Sequence, residues 1–556
     1  MMKCLIIGGV AGGATTAARL RRMDEDAQII IFEKGPYISY ANCGLPYYIG
    51  GVISERNALF LQTPTSFGNR FDADVRVSTE VTSIDKVQKK VTCVNLKTGK
   101  TYEESYDKLV LATGTTAVKP PIPGIDAPNI FTLRDVNDTD AIRSYLDSLP
   151  KPARVVVVGA GFIGMEMSEN FRHAGCEVTI VEKASQILPP VDWEVAAEVQ
   201  QEVTRNGVRL IVNDSVAAFV QNGNTTQVQL LSGTMLEADM VLVSVGVKPL
   251  TTLAVSAGLE LGELGGIKVN EYMQTSDPDI YAVGDAVETV NPLTGQPQLC
   301  FLAGPANKQA RICANNMVEG NIHRYSGSIG TGIAKVFGMT VGRTGLSERQ
   351  LQMLKVPYLV SVTHTGDHAG YYLGSTPVTI KLMFAPYTGQ LLGASVCGAA
   401  GVDKRLDVLA STIAHCGTVY DLTDFDHAYA PPFSSPKDPV IVAGYVAENI
   451  LTEKVKMIQW HELKEMLAHR QPDDFLLVDV RSLLENRAGT IEGAENYPLD
   501  ELREYAEDMD PEQPVVIFCA IGLRGYIACR ILMQMGFQKV YNLAGGYKTW
   551  KACSGE

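Results

Sequence analysis

Two cysteines of this chain lie in segments that suit sulfur chemistry. Cys43 lies in segment 39–46 (SYANCGLP), where serine, asparagine, glycine and proline are typical of a shaped loop. Cys519 heads segment 519–524 (CAIGLR), directly after the apolar run 514–518. The thiolate is the form of cysteine that attacks sulfur, so either residue could support disulfide or persulfide chemistry. The alternative for Cys43 is a small buried apolar side chain.

The elements before Cys43 predict a bound dinucleotide. A strand at Lys3–Ile7 leads into a glycine-rich turn, residues 8–13, and then into a helix. A buried strand at residues 28–34 follows and carries Glu33 near its end. Strand, glycine turn, helix, strand and terminal acid form the dinucleotide-binding arrangement. A cysteine just beyond a bound dinucleotide is well placed to exchange electrons with it.

A second copy of this plan follows. A strand at residues 153–158 leads into segment 159–164 (GAGFIG), a helix to about residue 174, and a strand, Glu177–Val181, that ends at Glu182. The helix N-terminus offers free N–H groups to a pyrophosphate. Glu182 would accept hydrogen bonds from ribose hydroxyls and repel a 2′-phosphate, which favours NADH, while Lys183 keeps NADPH possible. The alternative is that Glu182 is an exposed acid at a strand end.

Composition limits the other classes of function. At 556 residues the chain should hold three or four domains. A net charge of −14 with scattered basic residues argues against nucleic acid or an anionic membrane as partner, and the lack of an apolar run of eighteen residues argues against a membrane span. Eleven scattered cysteines favour a reducing, cytoplasmic location. His364 and His368 lack further ligands, so no metal site is expected.

The serine and cysteine of segment 39–46, placed after this fingerprint, resemble those of the single-cysteine pyridine nucleotide–disulfide reductases. The closest resemblance is to the coenzyme A-disulfide reductases, over about residues 2–449. Two-cysteine relatives carry a Cys-x-x-x-x-Cys pair, and neither Ile38 nor Tyr48 supplies that partner here. The resemblance therefore implies that Cys43 pairs with an external thiol or cycles through a sulfenate or persulfide. Ala11 stands where the oxidase and peroxidase branch carries a histidine, which argues against a peroxide-handling enzyme.

The resemblance also implies ligand-binding residues. Those expected for FAD are Gly8, Val10, Gly13, Glu33, Lys34, Thr113, Gly114, Arg134, Asp285 and Ala303. Those expected for NAD are Gly159, Gly161, Gly164, Glu182 and Gly246. Those expected for coenzyme A, as substrate or bound ligand, are Thr15, Arg19, Arg22, Ser39, Asn42, Asn307, Arg311 and Lys437. Arg19 and Arg22 lie three apart on one helix and would face a phosphate together, although a solvated helix face is the alternative. Phe71 replaces a possible phosphate-binding cation.

Residues 325–448 resemble the dimerisation domain of the same family, which implies a homodimer. Protonation of the leaving group would fall to Tyr371 or Tyr372 and to Tyr429 of the partner subunit, because no histidine stands where two-cysteine relatives use one. The alternative is that these tyrosines only pack at the dimer seam.

Residues 456–551 closely resemble the single-domain rhodaneses. A loop after a strand and above a helix N-terminus would lower the pKa of the Cys519 thiol and hold an anionic persulfide, and Arg524 would bind the incoming anion. Related phosphatases use a loop one residue longer, and Cys529 is expected in the core.

We therefore expect an α/β protein with two Rossmann-like domains, an α+β dimerisation domain and an α/β rhodanese domain. The expected ranges are 1–114 with 250–324 for FAD, 115–249 for NAD(P)H, 325–448 for dimerisation, 449–455 for a linker and 456–556 for the rhodanese. The expected activity is NADH-dependent reduction of coenzyme A persulfide, polysulfide or disulfide through Cys43. The alternatives are a plain coenzyme A-disulfide reductase with an appended sulfurtransferase, and a redox-sensing or sulfur-carrier flavoprotein.

Overall fold

The computed structural model describes residues 1–471 and 474–555. Residue 556, the last of the expected rhodanese range, lies outside the described residues, as do residues 472 and 473. The chain forms two compact units, each described by itself below. The first unit comprises Met1–Ser185 and Gly207–Gly330, and the second comprises Gln186–Asn206 and Thr331–Glu556.

The first unit contains a five-stranded parallel sheet that starts the chain. Its strands, in spatial order, are Ile280–Ala282, Lys108–Leu111, Lys3–Ile7, Gln28–Phe32 and Ala73–Arg76. Leu5, Ile6, Ile30 and Ile31 are fully buried because helices and loops cover both sheet faces. The helix Ala11–Met23 makes the crossover between the first two strands, as the glycine turn predicts.

A second five-stranded parallel sheet repeats this plan in the same unit. Its strands, in spatial order, are Arg209–Ile211, Glu177–Val181, Arg154–Val158, Met240–Val243 and Ile130–Phe131. The helix Phe162–His173 makes the crossover. The carboxyl ends of the central strands of each sheet are the expected ligand positions of a doubly wound fold.

Smaller elements complete the first unit. Antiparallel three-stranded sheets are formed by Thr79–Asp85, Lys90–Asn95 and Thr101–Ser105 and by Val216–Asn222, Thr225–Leu230 and Met235–Ala238. The remaining strands are Thr115–Ala117, Val247–Pro249, Ile267–Lys268, Val287–Val290 and Pro297–Leu299. The remaining helices are Leu45–Ile49, Pro64–Phe71, Val136–Ser148, Thr252–Ser256 and Ala303–Glu319, with 3₁₀ turns at Asn42–Gly44, Arg56–Leu59 and Gly284–Ala286.

The second unit contains an antiparallel sheet and the helices that cover it. The strands, in spatial order, are Gly332–Val336, Met339–Gly345, Leu391–Gly398, Pro377–Phe384 and Leu359–Gly366. The helices are Trp193–Arg205, Glu348–Leu354, Val402–Ala414, Val419–Thr423 and Pro439–Leu451. Trp193–Arg205 buries Val195, Val199 and Val203 at four-residue spacing, the apolar stripe of a helix packed on one face.

The C-terminal part of the second unit is a separate five-stranded parallel sheet. The strands, in spatial order, are Lys456–Ile458, Val540–Leu543, Val515–Phe518, Leu476–Asp479 and Glu495–Asn496. The helices are Trp460–Ala468, Leu483–Arg487, Leu502–Tyr505, Leu523–Gln534 and Gly546–Cys553. The strand Val515–Phe518 is central and fully buried, which places Cys519 at its carboxyl end.

The expected α/β class with two Rossmann-like sheets is confirmed. Three local elements deserve comparison with the sequence pattern, which predicts a strand at residues 76–78, a helix-like connector at residues 445–454 and no strand at residues 101–105. The strand predicted at residues 76–78 is Ala73–Arg76 instead, because Ser78 has a left-handed φ of 49° that ends an extended run. The strand Thr101–Ser105 is not predicted by the sequence pattern, because its residues are polar and largely exposed. The helix-like connector expected at residues 445–454 is helical up to Leu451, as the end of the helix Pro439–Leu451, so the expected linker at 449–455 begins inside that helix.

Candidate functional site

Cys43 is an exposed free thiol on a loop fixed to the first glycine turn. It lies in the 3₁₀ turn Asn42–Gly44 and is followed by the helix Leu45–Ile49. The Ser39 N–H donates to the Gly9 carbonyl over 2.9 Å, with Ser39 in the left-handed region at φ 46°. Within the described residues all eleven cysteines are free, so Cys43 is bonded to none of them.

Two acidic side chains act on the Cys43 sulfur. Partial desolvation, and then the negative charges of Glu166 and Asp285, raise the pKa of the Cys43 thiol above its usual range. Glu166 comes from the helix Phe162–His173 of the second nucleotide plan, and Asp285 from the 3₁₀ turn Gly284–Ala286. Cys43 therefore lies near the residue expected to meet the flavin, and also near the helix that starts the expected nicotinamide site.

The first glycine turn is built for close approach of the backbone. A Cβ on Gly8 would lie 2.2 Å from the Ala112 oxygen, and a Cβ on Gly13 would lie 1.8 Å from the Gly8 oxygen. The following helix begins after Val10, whose side chain cannot accept a hydrogen bond from the first turn. The helix N–H groups and dipole are thus left for an anion such as a pyrophosphate. These features fit a dinucleotide.

Glu33 bridges this turn and the next loop. Its two carboxylate oxygens accept from the Gly9 N–H at 2.8 Å and the Gly35 N–H at 2.7 Å. Burial raises the pKa of Glu33, while these hydrogen bonds act in the opposite direction. Lys34 instead pairs with Glu80 over 2.8 Å, on the surface. Of these two neighbouring predicted FAD residues, Glu33 faces the glycine turn.

Five further predicted FAD residues belong to the same unit. The Thr113 hydroxyl donates to the Leu250 carbonyl at 2.7 Å. A Cβ on Gly114, at φ 66°, would lie 2.8 Å from a guanidinium nitrogen of Arg134. Burial raises the pKa of Asp285, and the charge of Arg134 partly offsets this effect. Ala303 begins the helix Ala303–Glu319 after Leu302, another residue that cannot cap a helix.

The second glycine turn repeats the geometry of the first. A Cβ on Gly159 would lie 2.4 Å from the Ser244 oxygen, and one on Gly164 would lie 2.1 Å from the Gly159 oxygen. A Cβ on Gly161 would meet no heavy atom of the described residues within 4 Å, which leaves room for a ligand. Gly246, at φ 111°, has the same free space. Glu182 accepts from the Ala160 N–H at 2.6 Å and the Ala184 N–H at 2.7 Å.

A cluster of arginines lies on two packed helices of the first unit. Arg19 and Arg22 lie on Ala11–Met23, and Arg311 lies on Ala303–Glu319. Desolvation, and then the positive charges of Arg311 and Arg22, lower the pKa of Arg19. Three like charges at one place can bind a phosphate-rich ligand.

Of the other predicted coenzyme A residues, Thr15 and Asn307 lie on the same two helices as the arginines, and Asn42 and Lys437 lie in other segments. The Thr15 hydroxyl donates to Asn307 over 2.6 Å, which links the same two helices. Asn42 is exposed next to Cys43. Phe71 packs against Phe67 with ring centroids 4.7 Å apart. Lys437 belongs to the second unit and precedes the helix Pro439–Leu451.

Tyr371 and Tyr429 form a pair on the surface of the second unit. Their hydroxyl oxygens lie 3.0 Å apart, and both rings are exposed. The hydrogen bond with Tyr371 raises the pKa of Tyr429. The two hydroxyls expected to come from different subunits thus also contact each other within one chain.

Cys519 lies at the floor of a loop whose backbone reaches the sulfur. The thiol is 1% exposed. The Gly522 N–H donates to the Cys519 sulfur over 3.1 Å, with Gly522 at φ 101°. The helix Leu523–Gln534 begins at the next residue, so its dipole also points at the sulfur. Such an arrangement can hold an anionic sulfur.

Arg524 does not stand alone beside this loop. Its guanidinium makes a two-bond ion pair with Glu485, at 2.8 and 2.6 Å. This pair lowers the pKa of Glu485 to about 2. The charge of Cys519 and a hydrogen bond to it also raise the pKa of Arg524. The predicted anion-binding cation is therefore present but already shared with a carboxylate.

The first turn of the helix Gly546–Cys553 is hydrogen-bonded to the Cys519 loop. The Tyr547 N–H donates to the Cys519 carbonyl at 2.8 Å, and the Lys548 N–H donates to the Ala520 carbonyl at 3.0 Å. A Cβ on Gly546 would lie 2.5 Å from the Cys519 oxygen, so only glycine allows this approach. Gly546, which follows Gly545 in the sequence, is thus part of the sulfur site.

Sequence reasoning missed several residues of both sites. Glu166 has a pKa raised to about 7 by burial and the nearby charge of Glu169, and it hydrogen-bonds Tyr47, just past the Cys43 loop. An acid two residues beyond Gly164 was a visible signal. Glu485 could have been noticed as the end of a Ser-x-x-Glu helix start, the capping box from Ser482.

Comparisons with known proteins match this architecture. The family described as "Pyridine nucleotide-disulphide oxidoreductase" matches residues 2–305, and its dimerisation domain matches residues 332–438. The chain belongs to the pyridine nucleotide–disulphide oxidoreductase family. A rhodanese-like domain matches residues 459–553. This family membership supports FAD and a nicotinamide nucleotide as cofactors, and makes the chain a flavoprotein oxidoreductase acting on sulfur groups with a rhodanese-like domain.

Three relatives within and around this family are informative. A coenzyme A disulfide reductase of Staphylococcus haemolyticus is 35% identical over 450 residues, which cover 81% of this chain and all of the relative. The crystal structure of reduced CoADR-RHD of Bacillus anthracis is 47% identical, with a TM-score of 0.96 and coverage of 99% and 98%. An NAD-dependent persulfide reductase from A. fulgidus is 35% identical, with a TM-score of 0.92 and coverage of 99% and 100%. The last two similarities span both units.

Two structural features are absent from the described residues. No helix there is both long and apolar enough to cross a membrane. The same residues contain no group of three or more His, Cys, Asp or Glu side chains arranged to hold a metal ion.

Proposed function

We propose that this chain is an FAD- and NADH-dependent reductase of coenzyme A persulfide, polysulfide and coenzyme A disulfide. Cys43 reduces the sulfur–sulfur bond, and the rhodanese-like domain supplies or accepts sulfane sulfur at Cys519. The observation that carries the proposal is that one chain holds two free thiols in two different built surroundings. The loop of Cys43 is hydrogen-bonded through Ser39 to the first glycine turn, and the Cys519 sulfur accepts from the Gly522 N–H.

Cys43 acts as the nucleophile of the reductive half. Its thiolate attacks one sulfur of an external disulfide or persulfide, the sulfur–sulfur bond breaks, and the other half leaves as a thiolate or hydrogen sulfide. Because Cys43 is bonded to no other cysteine of the described residues, the retained half stays as a mixed disulfide or persulfide until two electrons and a proton release it. When bound, FAD supplies the transfer of two electrons from NADH to sulfur.

The chain's own residues would position the nucleotides. FAD would lie on Gly8, Val10 and Gly13, with Glu33 and Asp285 oriented toward its polar groups. NADH would lie on the second turn, where Glu182 presents a carboxylate that disfavours the 2′-phosphate of NADPH. Coenzyme A would place its phosphates on the arginines of the two packed helices, with its thiol at Cys43.

Protonation of the leaving thiolate would fall to a tyrosine hydroxyl. Tyr371 and Tyr429 present paired, exposed hydroxyls. In a homodimer, the form that the matched dimerisation domain supports, Tyr429 of the partner subunit would complete the site. We propose the domain ranges that the sequence predicts, which are 1–114 with 250–324, 115–249, 325–448 and 456–556.

An anaerobic acceptor screen tests the function. NADH consumption is measured with coenzyme A disulfide, coenzyme A persulfide and polysulfide, for the wild type and Cys519→Ser. We expect persulfide and polysulfide to be reduced at least as fast as the disulfide, and the variant to lose polysulfide turnover. Cys416→Ser, which removes another exposed thiol, is the matched control. Unchanged polysulfide reduction by a Cys519→Ser variant that lacks sulfur transfer would show that the two thiols do not act in sequence.

A plain coenzyme A disulfide reductase with an unconnected sulfurtransferase is the second candidate. It is favoured by the complete coverage of the Staphylococcus haemolyticus relative by 81% of this chain. In that case only the disulfide would be a good acceptor, and Cys519→Ser would change none of the three rates.

A further inference from the structure

The positive side chains around the Cys519 loop are already paired with carboxylates. Arg524 pairs with Glu485, and Lys548, whose N–H supports the loop, places its ammonium 3.0 Å from Glu198. Arg481 lies over the Tyr547 ring at 4.3 Å and is bound to the buried carboxylate of Asp479 at 2.8 and 2.7 Å. These three cations add little net positive charge to the loop.

Exposed apolar side chains lie in and beside the same loop. Leu523 begins the helix after the loop and is 63% exposed, and Ile527 lies four residues on, on the same helix face. Leu484, 79% exposed, lies on the short helix that carries Glu485. The Glu485–Arg524 ion pair brings the two helices together. Five exposed apolar side chains thus lie in the loop and on the two helices that this ion pair joins; they are Leu483, Leu484, Ile521, Leu523 and Ile527.

We infer that Cys519 takes sulfane sulfur from the persulfide of an organic thiol on a long uncharged arm, and discriminates against small inorganic dianions such as thiosulfate. Glu485 and Leu523 set this specificity. The inference rests on the proposed function and names the substrate class of its second site. A dianion must give up its hydration on entering and would find the Arg524 charge cancelled. An uncharged arm loses little hydration and gains contact with exposed leucines beside the loop, such as Leu484 and Leu523.

The transfer balances without any further reagent. The Cys519 thiolate attacks the terminal sulfur of R–S–S–H, and a new sulfur–sulfur bond forms on Cys519. The bond between the two donor sulfurs breaks, and R–S⁻ leaves with its electron pair. Cys519 becomes Cys519–S–S–H, and the proton stays on the transferred sulfur. The Gly522 N–H, which donates to the Cys519 sulfur, helps to hold the product.

The experiment compares two donors on the full-length holoenzyme without NADH. Pantetheine persulfide and thiosulfate are each added anaerobically, and the sulfur gained by the Cys519 peptide is followed by mass spectrometry against time. We expect pantetheine persulfide to load Cys519 at least about tenfold faster than thiosulfate, the scale on which one unpaired charge changes recognition.

Two variants locate the cause of this preference. Glu485→Gln should raise the thiosulfate rate about tenfold and leave the persulfide rate within twofold, because it frees the Arg524 charge. Glutamine also keeps the helix start at Ser482, since a capping box accepts Glu or Gln. Glu504→Gln, an exposed acid of the same domain, is the charge-matched control. Leu523→Ser should slow the persulfide severalfold and leave thiosulfate unchanged.

The outcomes separate the inference from the proposed function. If neither donor loads Cys519 in the wild type, the proposed sulfur transfer itself is wrong. If both load it and thiosulfate is as fast as the persulfide, or if Glu485→Gln raises both rates equally, the specificity inference is wrong and the proposed function stands. If Leu523→Ser changes neither rate, the inference is also wrong.

Discussion

The two thiols of this chain differ in what surrounds the sulfur. Cys43 is exposed, and the two carboxylates near it, with partial desolvation, raise its pKa. Cys519 is buried and receives a backbone N–H from Gly522 and the start of a helix. The polypeptide alone disfavours an anion at Cys43, whereas the Cys519 sulfur already accepts a hydrogen bond from the backbone. This difference indicates that Cys43 depends on bound cofactor and substrate to form its thiolate. The contacts of the Cys519 sulfur are already present in the folded chain.

The mechanical support of the two sites differs as well. The Cys43 loop is tied to the glycine turn through Ser39. The Cys519 loop lies on the helix Gly546–Cys553, whose Thr549 hydroxyl lies 2.8 Å from His364 of the antiparallel sheet. The rhodanese-like domain is therefore joined to the rest of its unit through the helix that supports its own active-site loop.

Cys43→Ser should have the largest effect and should divide the two sites cleanly. NADH-dependent reduction of every sulfur acceptor should fall at least about a thousandfold, because a serine hydroxyl neither attacks sulfur nor forms a reducible bond. Sulfur loading of Cys519 by pantetheine persulfide should stay within twofold. Steady-state NADH oxidation and peptide mass spectrometry measure the two rates. Equal loss of both activities would mean that the sites are not separable.

Lys381→Met should test whether the buried ion pairs of Lys381 stabilise the unit that carries Cys519. Lys381 is buried in ion pairs with Glu194 and Glu348, and Glu194 also accepts from the Trp460 indole over 3.1 Å. Removing the cation leaves buried carboxylates uncompensated, at a cost of about 3–5 kcal/mol. Denaturant unfolding of the full chain should show this loss of stability, and Cys519 loading should suffer more than Cys43 turnover. Lys539→Met, at an exposed lysine, is the control. A stability unchanged from that of the wild type contradicts the buried network.

Gly522→Ala should impair only the nest at Cys519. Residue 522 has φ 101°, and a Cβ there strains the backbone by about 1–3 kcal/mol, so we expect about tenfold slower sulfur transfer. Reduction of coenzyme A disulfide should be unchanged. Gly536→Ala has almost the same φ, 105°, in open space in the same domain, and should leave sulfur transfer unaffected. Equal losses in the two variants would assign the effect to general destabilisation.

Glu166→Gln should have the smallest effect, a shift in the titration of Cys43. The pKa of Glu166 is about 7, so its charge, which raises the pKa of the Cys43 thiol, is present above that pH. Removing it should lower the pKa of Cys43 by up to about one unit, so that alkylation accelerates at lower pH. The pH dependence of iodoacetamide labelling measures this shift, with Glu177→Gln as control. A shift to higher pH contradicts the assigned electrostatics.

Much of the fold could be predicted because glycine turns and strand-end acids are local signals. Glu33 and Glu182 stand where the dinucleotide plan requires, but each also binds the N–H of its own turn, Gly9 or Ala160. Glu166 could not be assigned to Cys43, because their proximity depends on the packing of two nucleotide plans. The Glu485–Arg524 pair spans 39 residues and needed the completed sheet. The sequence predicts that Arg524 binds an anion, and in the fold its guanidinium is also paired with Glu485.

The most direct test of the account is the fate of Cys43 when it meets one equivalent of coenzyme A disulfide. The NADH-reduced holoenzyme is mixed with the disulfide anaerobically, quenched with acid, and mapped by peptide mass spectrometry. We predict a mixed disulfide between coenzyme A and Cys43, with Cys519 unmodified. A disulfide between Cys43 and any other cysteine of the chain, or an adduct at Cys519 with Cys43 untouched, would contradict it.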